Sequence, residues 1–132
     1  MIPLLLLALI LGIVRIQSSQ WRIERHVRTH PSELEALVNG TEQEYHGWHV
    51  RRIRLGAEKA RCVVVSVSSF GLAPSGRERG FLWLEADPET LEVDGINFTS
   101  TDDGWTWCEA RGDNGGTLVP IVNMWYYFEW HW

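Results

Sequence analysis

Two histidines, His46 and His49, lie three positions apart and close to the acidic side chains of Glu42 and Glu44. Imidazole and carboxylate groups bind metal ions, and they also act as acids and bases in catalysis. Residues three positions apart point to opposite faces of a strand, so only a turn at Gly47 would bring the two rings together. Because the spacing matches no strong zinc-binding pattern, we predict surface histidines at a strand edge, with no metal site and no cofactor.

The two cysteines of the chain are Cys62 and Cys108. A thiol acts as a nucleophile when a base lies beside it, and no histidine accompanies either cysteine locally in the sequence. A cytoplasmic compartment keeps thiols reduced, whereas an oxidising compartment lets them pair. We therefore expect two buried free thiols, with a disulfide between them as the alternative.

Five aspartates lie in sequence contexts that are typical of turns. Paired carboxylates carry out acid–base catalysis in some hydrolases, but hydrogen bonds from Asp side chains to turn amides already account for these residues. We therefore assign no catalytic residue, and the sequence does not favour an enzyme. A hydrolase that uses turn carboxylates or a histidine pair stays as an alternative. The five residues are Asp87, Asp94, Asp102, Asp103 and Asp113.

The last nine residues, 124–132, read MWYYFEWHW. Alternate residues of a strand point to the same face, which places a continuous aromatic row on one face and mixed residues on the other. Such a row either seals a core or forms an exposed binding surface, since a large apolar patch rarely faces water. We expect Tyr126 and Phe128 in the core and the last three residues at the rim. The candidate binding residues are Trp125, Tyr127, Trp130, His131 and Trp132, with a partner protein, sugar rings or the bilayer interface as candidate targets.

Residues 100–107, STDDGWTW, match the pattern Ser-x-Asp-x-Gly-x-Thr-Trp at every specified position. This segment resembles the Asp box, a β-hairpin motif that recurs in sialidase-type propellers and in other β proteins. The resemblance implies a hairpin in which Asp102 and Ser100 bond to turn amides and Gly104 takes a positive φ. It covers eight of the 132 residues and implies no catalytic role. The predicted structural hairpin residues are Ser100, Asp102, Gly104, Thr106 and Trp107.

Residues 2–14 are apolar throughout, and the first charge is that of Arg15. Extended to residue 16, this segment would form roughly 22 Å of helix, which is short for a hydrocarbon core of ~30 Å. We predict an uncleaved single-pass anchor, with a cleaved signal peptide and a buried core helix as alternatives. Positive flanks stay cytoplasmic, so the arginines after the segment predict a cytoplasmic domain. The residues expected at the membrane lipid are Arg15, Trp21, Arg22, Arg25 and Arg28.

The net charge of −5 conceals two halves of opposite sign. Residues 1–79 contain eleven basic and seven acidic side chains, whereas residues 80–132 contain one basic and ten acidic side chains. An acidic surface repels phosphates. We therefore expect no nucleic-acid partner.

The patterns around these residues predict an α+β fold: an N-terminal membrane-anchor helix, one short helix, and a mostly antiparallel sheet of five or six strands. A capping-box sequence at residues 32–35 and the pair Asn39-Gly40 bound the short helix. Short connections favour antiparallel pairing. Strands are predicted at residues 49–55, 62–70, 81–86, 91–98, 105–110 and 118–132, with a surface loop at 71–80. A break of the last strand at Pro120 is the alternative.

Three regions follow: an anchor helix at residues 1–16, a basic juxtamembrane segment with the short helix at 17–44, and a β-rich domain at 45–132. The sequence favours a membrane-anchored, non-enzymatic domain that docks a protein partner or serves as an accessory subunit of a membrane complex. A carbohydrate- or small-ligand-binding module that uses tryptophan platforms is the second hypothesis, and the hydrolase is the third.

Overall fold

The computed structural model describes residues 20–72, 75–93, 95–109 and 114–132 and the isolated positions 4 and 6. Helix α1 covers residues 20–29, and helix α2 covers Pro31–Asn39. The eight strands that follow are β1 (Glu44–Tyr45), β2 (Trp48–Leu55), β3 (Ala60–Leu72), β4 (Ser75–Leu84), β5 (Ile96–Ser100), β6 (Trp105–Glu109), β7 (Gly115–Val122) and β8 (Trp125–His131). A 3-10 helix at Pro88–Thr90 lies between β4 and β5.

The eight strands form one antiparallel sheet in the order β1-β2-β3-β4-β8-β7-β6-β5. This order divides the sheet into two four-stranded meanders, β1 to β4 and β5 to β8, which are joined where β4 pairs with β8. In that seam Phe81 lies opposite Tyr127, and Trp83 lies opposite Trp125. Strand β8 is therefore an inner strand, and the aromatic terminus lies in the middle of the sheet.

Strand β3 is buried on both faces of the sheet. Val63 and Val65 belong to the core beneath the helices, whereas Cys62 and Val64 belong to the core on the opposite face. All four side chains are at most 6 % exposed. A strand that is covered on both sides reads as a continuous apolar run, as residues 62–65 do.

Helices α1 and α2 cover one face of the sheet. Ile23 and Val27 lie one turn apart on α1, and Leu34 and Leu37 lie one turn apart on α2. Each helix thus presents a short apolar stripe to the sheet. Burial of an aliphatic side chain of this size stabilises the fold by roughly 1.5–3 kcal/mol, so these four residues fix both helices on the sheet.

The prediction of five or six strands is wrong, because the sheet has eight. Residues 118–132 form two strands, β7 and β8, separated by a turn at Asn123 and Met124. The predicted surface loop at 71–80 is largely strand, since β3 and β4 stay paired out to Leu72 and Ser75. Backbone hydrogen bonds hold the extended ends of β3 and β4 together. Such bonds do not appear in the hydrophobic pattern of the side chains.

The helical part of the predicted fold is also wrong. Among residues 20–132 the described part of the chain has two short helices, α1 and α2, and no helix of the described residues is long and apolar enough to cross a membrane. The anchor predicted at residues 1–16 lies outside the described residues, apart from positions 4 and 6. Helix α2 begins at Pro31, one residue before the predicted capping box, and His30 is its N-cap. Proline suits the first helical position because its φ is already fixed in the helical range.

Candidate functional site

On the face away from the helices, side chains from both ends of the sheet line one cavity of about 290 Å³, which we call the trough. Strands β2 and β3 contribute from one end, β5 and β6 contribute from the other, and β4, β7 and β8 lie between them. The shared lining means that the sheet curls around this face, as strongly twisted sheets do. The apolar lining residues are Ile53, Leu55, Cys62, Val64, Leu82, Leu84, Leu91, Val93, Ile96, Phe98, Trp107, Leu118, Phe128 and Trp130.

The turn between β2 and β3 meets the far end of the sheet. Gly56 in this turn has a φ of +75°, and a Cβ placed on it would lie 2.8 Å from the carbonyl oxygen of Glu92. Glycine suits a left-handed backbone that another chain segment approaches so closely. The segment with Leu91 and Val93, which both line the trough, is thereby held against the opposite end of the sheet.

Two tryptophans, Trp107 of β6 and Trp130 of β8, form part of the trough wall. Their ring centroids lie 6.1 Å apart, and the ring planes are inclined at 48°. The ring of Trp105 meets that of Tyr126 edge-on at 5.8 Å within the same core. Large flat rings supply much apolar contact area, so the wall is suited to an apolar ligand.

A few polar groups interrupt the apolar wall. The guanidinium of Arg51 is ion-paired with the buried carboxylate of Glu78 and lies 6.0 Å from the centroid of the Trp130 ring. The indole N–H of Trp130 is buried and has no hydrogen-bond partner among the described residues. A buried donor without an acceptor costs roughly 1–3 kcal/mol. The second charged lining residue is Glu109, whose carboxylate accepts a hydrogen bond from Asn114 at 3.1 Å.

The two cysteines are both free, as predicted, but only one of them is buried. Cys62 lines the trough and is 3 % exposed, whereas Cys108 is exposed. Burial raises the pKa of Cys62 to about 12. Its thiol is therefore protonated at neutral pH and serves as part of the apolar wall.

The first part of the aromatic terminus is buried on both faces of β8. Trp125 and Tyr127 belong to the core beneath the helices, at 6 % and 2 % exposure, and cannot reach a surface partner. Tyr126 and Phe128 are buried on the trough side, in the core where they were expected. Both faces are buried because β8 is an inner strand with a covered surface on each side.

The last three residues lie at the rim. Trp130 and Trp132 are half-buried, with ring centroids 5.4 Å apart, and His131 is exposed. The main chain of Trp132 exchanges two hydrogen bonds with Gly76 of β4, at 3.0 and 3.1 Å. The chain end is thereby fixed on the sheet, with His131 as the exposed side chain among the three.

Residues 100–107 lie in the hairpin of β5 and β6. The amide of Thr101 donates a hydrogen bond to the carbonyl oxygen of Gly104 at 2.8 Å. A side chain on Gly104 would clash with the carbonyl oxygen of Leu118, so the turn packs closely on β7. Of the predicted hairpin residues, Ser100 and Asp102 are exposed, whereas Gly104, Thr106 and Trp107 are half-buried.

Four of the five residues predicted to face the membrane lie on helix α1. Trp21, Arg22, Arg25 and Arg28 are all exposed. The guanidinium of Arg25 lies over the ring of Trp21, 5.2 Å from its centroid. Arg15 lies outside the described residues.

A second group of polar side chains lies on the helix side, where α1, the start of α2 and the β1–β2 turn meet. We call His26, His30, Glu33, Tyr45 and His46 the histidine cluster. The hydroxyl of Tyr45 donates to Oε2 of Glu33 at 2.8 Å and lies 2.9 Å from Nε2 of His26. Nε2 of His46 lies 3.2 Å from the same Oε2 of Glu33. The rings of His26 and His30 stack with their centroids 4.0 Å apart.

The charge states of the cluster follow from these contacts. Burial, and after it the neighbouring imidazoles of His30 and His46, lowers the pKa of His26 to about 4. Hydrogen bonds from Tyr45 and His46 hold the pKa of Glu33 below its usual range. Burial, together with the hydrogen bond to Glu33, raises the pKa of Tyr45. At neutral pH the cluster therefore presents a neutral imidazole at His26 and an ionised carboxylate at Glu33.

This cluster was not predicted from the sequence. The sequence pattern pairs His46 with His49, and the structure instead brings His46 to His26 and Glu33. The spacing of His26 and His30, four residues apart, is a signal that both lie on one helix face. No local pattern connects them to Glu33 or His46, because the packing of the helices on the sheet makes that connection.

Comparison with known proteins gives this chain no family. No protein-family model, no curated protein and no solved structure matches it. The trough and the histidine cluster are therefore interpreted from their own residues and geometry.

Proposed function

We propose that the chain is a binding module that holds a small, mainly apolar ligand in the trough. The observation that carries this proposal is the trough itself: a cavity of about 290 Å³ with fourteen apolar lining residues and two charged ones. Concave, mostly apolar cavities with a few placed polar groups are the usual form of small-molecule sites. This function corresponds to the small-ligand-binding module with tryptophan platforms that the sequence suggested as the second hypothesis, since Trp107 and Trp130 form part of the wall.

The size of the trough limits the ligand. At about 30 Å³ for each water-sized group, a cavity of about 290 Å³ has room for roughly ten methylene-sized groups. A medium-length aliphatic chain or a two-ring compound fits this volume. A long lipid chain would have to extend beyond the rim.

The polar groups of the wall determine which chemical group of the ligand binds at one end of the trough. Arg51 has five N–H donors, and its ion pair with Glu78 leaves others available. The ring centroid of Trp130, whose indole N–H is buried without a partner among the described residues, lies 6.0 Å from this guanidinium. The remaining guanidinium donors favour an acceptor on the ligand, such as a carboxylate or a hydroxyl oxygen. We therefore expect an amphipathic ligand with its polar end at Arg51.

Binding is favoured over catalysis by the chemistry of the lining. The ionisable side chains among the described lining residues are Arg51, Glu109 and Cys62. The guanidinium of arginine stays protonated in proteins, and the raised pKa of Cys62 keeps its thiol neutral. Glu109 has no second acid or base beside it in this lining, so the wall offers no acid–base pair.

Titration with decanoic acid, followed by tryptophan fluorescence, tests the proposal. Trp107 and Trp130 line the trough, so we expect a saturable change in emission with one ligand per chain. Decan-1-ol should bind more weakly than decanoic acid because it lacks the charge that pairs with Arg51. Replacement of Arg51 by Gln, made together with Glu78→Gln so that no buried carboxylate is left unpaired, should weaken decanoic acid binding about tenfold and leave the alcohol nearly unaffected. A tenfold change corresponds to roughly 1.4 kcal/mol.

The matched control is Arg54→Gln. Arg54 belongs to the same strand but points to the opposite face and donates to the carbonyl oxygen of Lys59. This variant should bind both compounds as the parent chain does. Absence of saturable binding, or equal loss in both arginine variants, would contradict the proposal.

Docking of a protein partner at the rim is the second candidate function. The half-buried rings of Trp130 and Trp132, with centroids 5.4 Å apart, and the exposed side chain of His131 favour this possibility. Aromatic residues at the centre of a small patch are typical of binding hot spots. This function stays a prediction.

A further inference from the structure

We infer that His26, Glu33 and His46 form a binding site for one divalent transition-metal ion of the zinc type. One side-chain ligand atom from each of the three residues lies within 4.8 Å of the other two. The site lies on the helix side of the sheet, away from the trough. It is thus independent of the ligand-binding function proposed above.

The distances are close to those that a metal ion requires. Zinc bonds to histidine nitrogen and carboxylate oxygen are about 2.0–2.2 Å long, which places neighbouring ligand atoms of a tetrahedral site roughly 3.3 Å apart. Nε2 of His46 and Oε2 of Glu33 are already 3.2 Å apart. Small side-chain rotations therefore suffice to bring the third ligand atom, from His26, into the same sphere.

The donor set also selects the class of ion. Two imidazoles and one carboxylate suit zinc and its first-row neighbours better than calcium or magnesium, which prefer oxygen ligands alone. Three protein ligands leave a fourth position open for water. Glu33 and His46 are both exposed, so an ion reaches the site directly from solvent.

Surrounding contacts orient two of the three ligands. The ring of His30 stacks on that of His26 with planes only 14° apart, and Nδ1 of His30 lies 2.8 Å from the main-chain oxygen of His26. His46 occupies a two-residue turn with a φ of +53°, and its ring stacks on that of Trp48 at 5.8 Å. Side chains that are held in this way lose little rotational freedom when a metal binds.

The hydroxyl of Tyr45 occupies the space between His26 and Glu33. It donates to Glu33 and therefore accepts from the Nε2–H of His26. Coordination through Nε2 requires that proton to reside on Nδ1 instead, which a neutral imidazole achieves by a tautomeric shift. The ion would then take the place of the hydrogen bonds that now hold the three side chains together.

Metal titration of the full chain, purified without a polyhistidine tag and treated with chelator, tests the site. We expect one Zn²⁺ per chain by calorimetry and a higher melting temperature with Zn²⁺, since the ion binds the folded chain only. Co²⁺, used as a spectroscopic probe, should give the strong visible absorption of a low-coordinate site. Zn²⁺ should remove this absorption by competition, and Mg²⁺ should not.

Three variants identify the ligands. His26→Gln, Glu33→Gln and His46→Gln should each weaken Zn²⁺ binding at least about tenfold. Glu33 is exposed, so the Glu33→Gln variant keeps the test valid even where a histidine variant folds poorly. The matched control is His49→Gln, because His49 is an exposed histidine of β2 that lies outside the cluster.

Two results would overturn the inference. The first is no stoichiometric Zn²⁺ binding to the parent chain, which would leave the cluster as a hydrogen-bonded structural contact. The second is binding that Glu33→Gln and His46→Gln leave unchanged, or that His49→Gln weakens equally, which would place the ion elsewhere. Neither result affects the decanoic acid titration, so the two proposals fail separately.

Discussion

At the scale of single residues, the two thiols differ sharply in their surroundings. Cys62 is 3 % exposed in the trough wall, and burial raises its pKa to about 12, whereas Cys108 is exposed on β6. The thiolate is the reactive form, so at pH 8 iodoacetamide should alkylate Cys108 and leave Cys62 largely unmodified. Mass spectrometry of the digested protein measures both sites in one sample.

The same experiment in denaturant provides the control, because both cysteines should then react at similar rates. Raising the pH of the folded protein towards 10 should still leave Cys62 protected, because burial raises its pKa to about 12. Equal labelling of both residues in the folded chain at pH 8 would contradict the burial of Cys62. A disulfide between them would contradict the free thiols.

The aromatic terminus shows what a residue pattern can and cannot predict. Alternation along a strand is enough to place Tyr126 and Phe128 on one face, and both are buried there. The burial of Trp125 and Tyr127 on the other face has a different cause, since it depends on the helices that cover that side. The sequence of a strand does not show which other elements cover its two faces.

At the scale of secondary-structure elements, the turn between β7 and β8 is an unusual one. Asn123 and Met124 both have positive φ values, +48° and +67°. Such two-residue hairpin turns favour Asn followed by Gly, and an L-residue with a side chain pays roughly 1–2 kcal/mol in this conformation. Met124→Gly should therefore stabilise the protein by a few tenths to about 1 kcal/mol, after the greater flexibility of unfolded glycine is subtracted.

The melting temperature measures this change, and an increase of a few degrees is expected. Glu58→Gly is the matched control, because Glu58 is an exposed turn residue without a positive φ. Glycine there should be neutral or destabilising. A decrease for Met124→Gly would mean that the side chain contributes a contact worth more than the backbone strain.

The same turn explains why the number of strands was not predictable. Residues 118–132 carry two residues that favour a turn, Pro120 and Asn123. Pro120 lies inside β7, and Asn123 is followed by a methionine that normally avoids this conformation. The strand at 62–70 was predictable from its valines, because a run of β-branched residues indicates a strand without knowledge of its partner. The paired ends of β3 and β4 at residues 71–80 were not, since main-chain hydrogen bonds to the opposite strand hold them.

At the scale of the whole molecule, each candidate site draws on segments that are far apart in sequence. The trough takes side chains from Arg51 to Trp130, and the histidine cluster takes them from His26 to His46. The trough exists only because β4 pairs with β8, which joins the two meanders. Sequence patterns predict the strands that contain the lining residues, but they do not predict the pairing that brings these strands together.

The two faces of the sheet thus have separate chemistry. The helix-covered face carries the histidine cluster, and the trough lies on the face that the curled sheet encloses. Closure of the trough depends on the contact between the β2–β3 turn and the segment at Glu92. This contact joins a turn of the first meander to the segment that precedes β5 of the second, so we expect it to influence the shape of the cavity.

Two glycines with nearly the same φ provide a test of this closure. Gly56 has a φ of +75° and Gly47 a φ of +78°, but only a Cβ at Gly56 would meet another segment, 2.8 Å from the Glu92 oxygen. Both alanine variants should lose about 1 kcal/mol of stability to the positive φ. Gly56→Ala should lose about 1 kcal/mol more, because the turn and the Glu92 segment must separate. It should also bind decanoic acid several-fold more weakly, whereas Gly47→Ala should bind as the parent chain does. Equal stability and equal affinity in the two variants would mean that the trough keeps its shape without this contact.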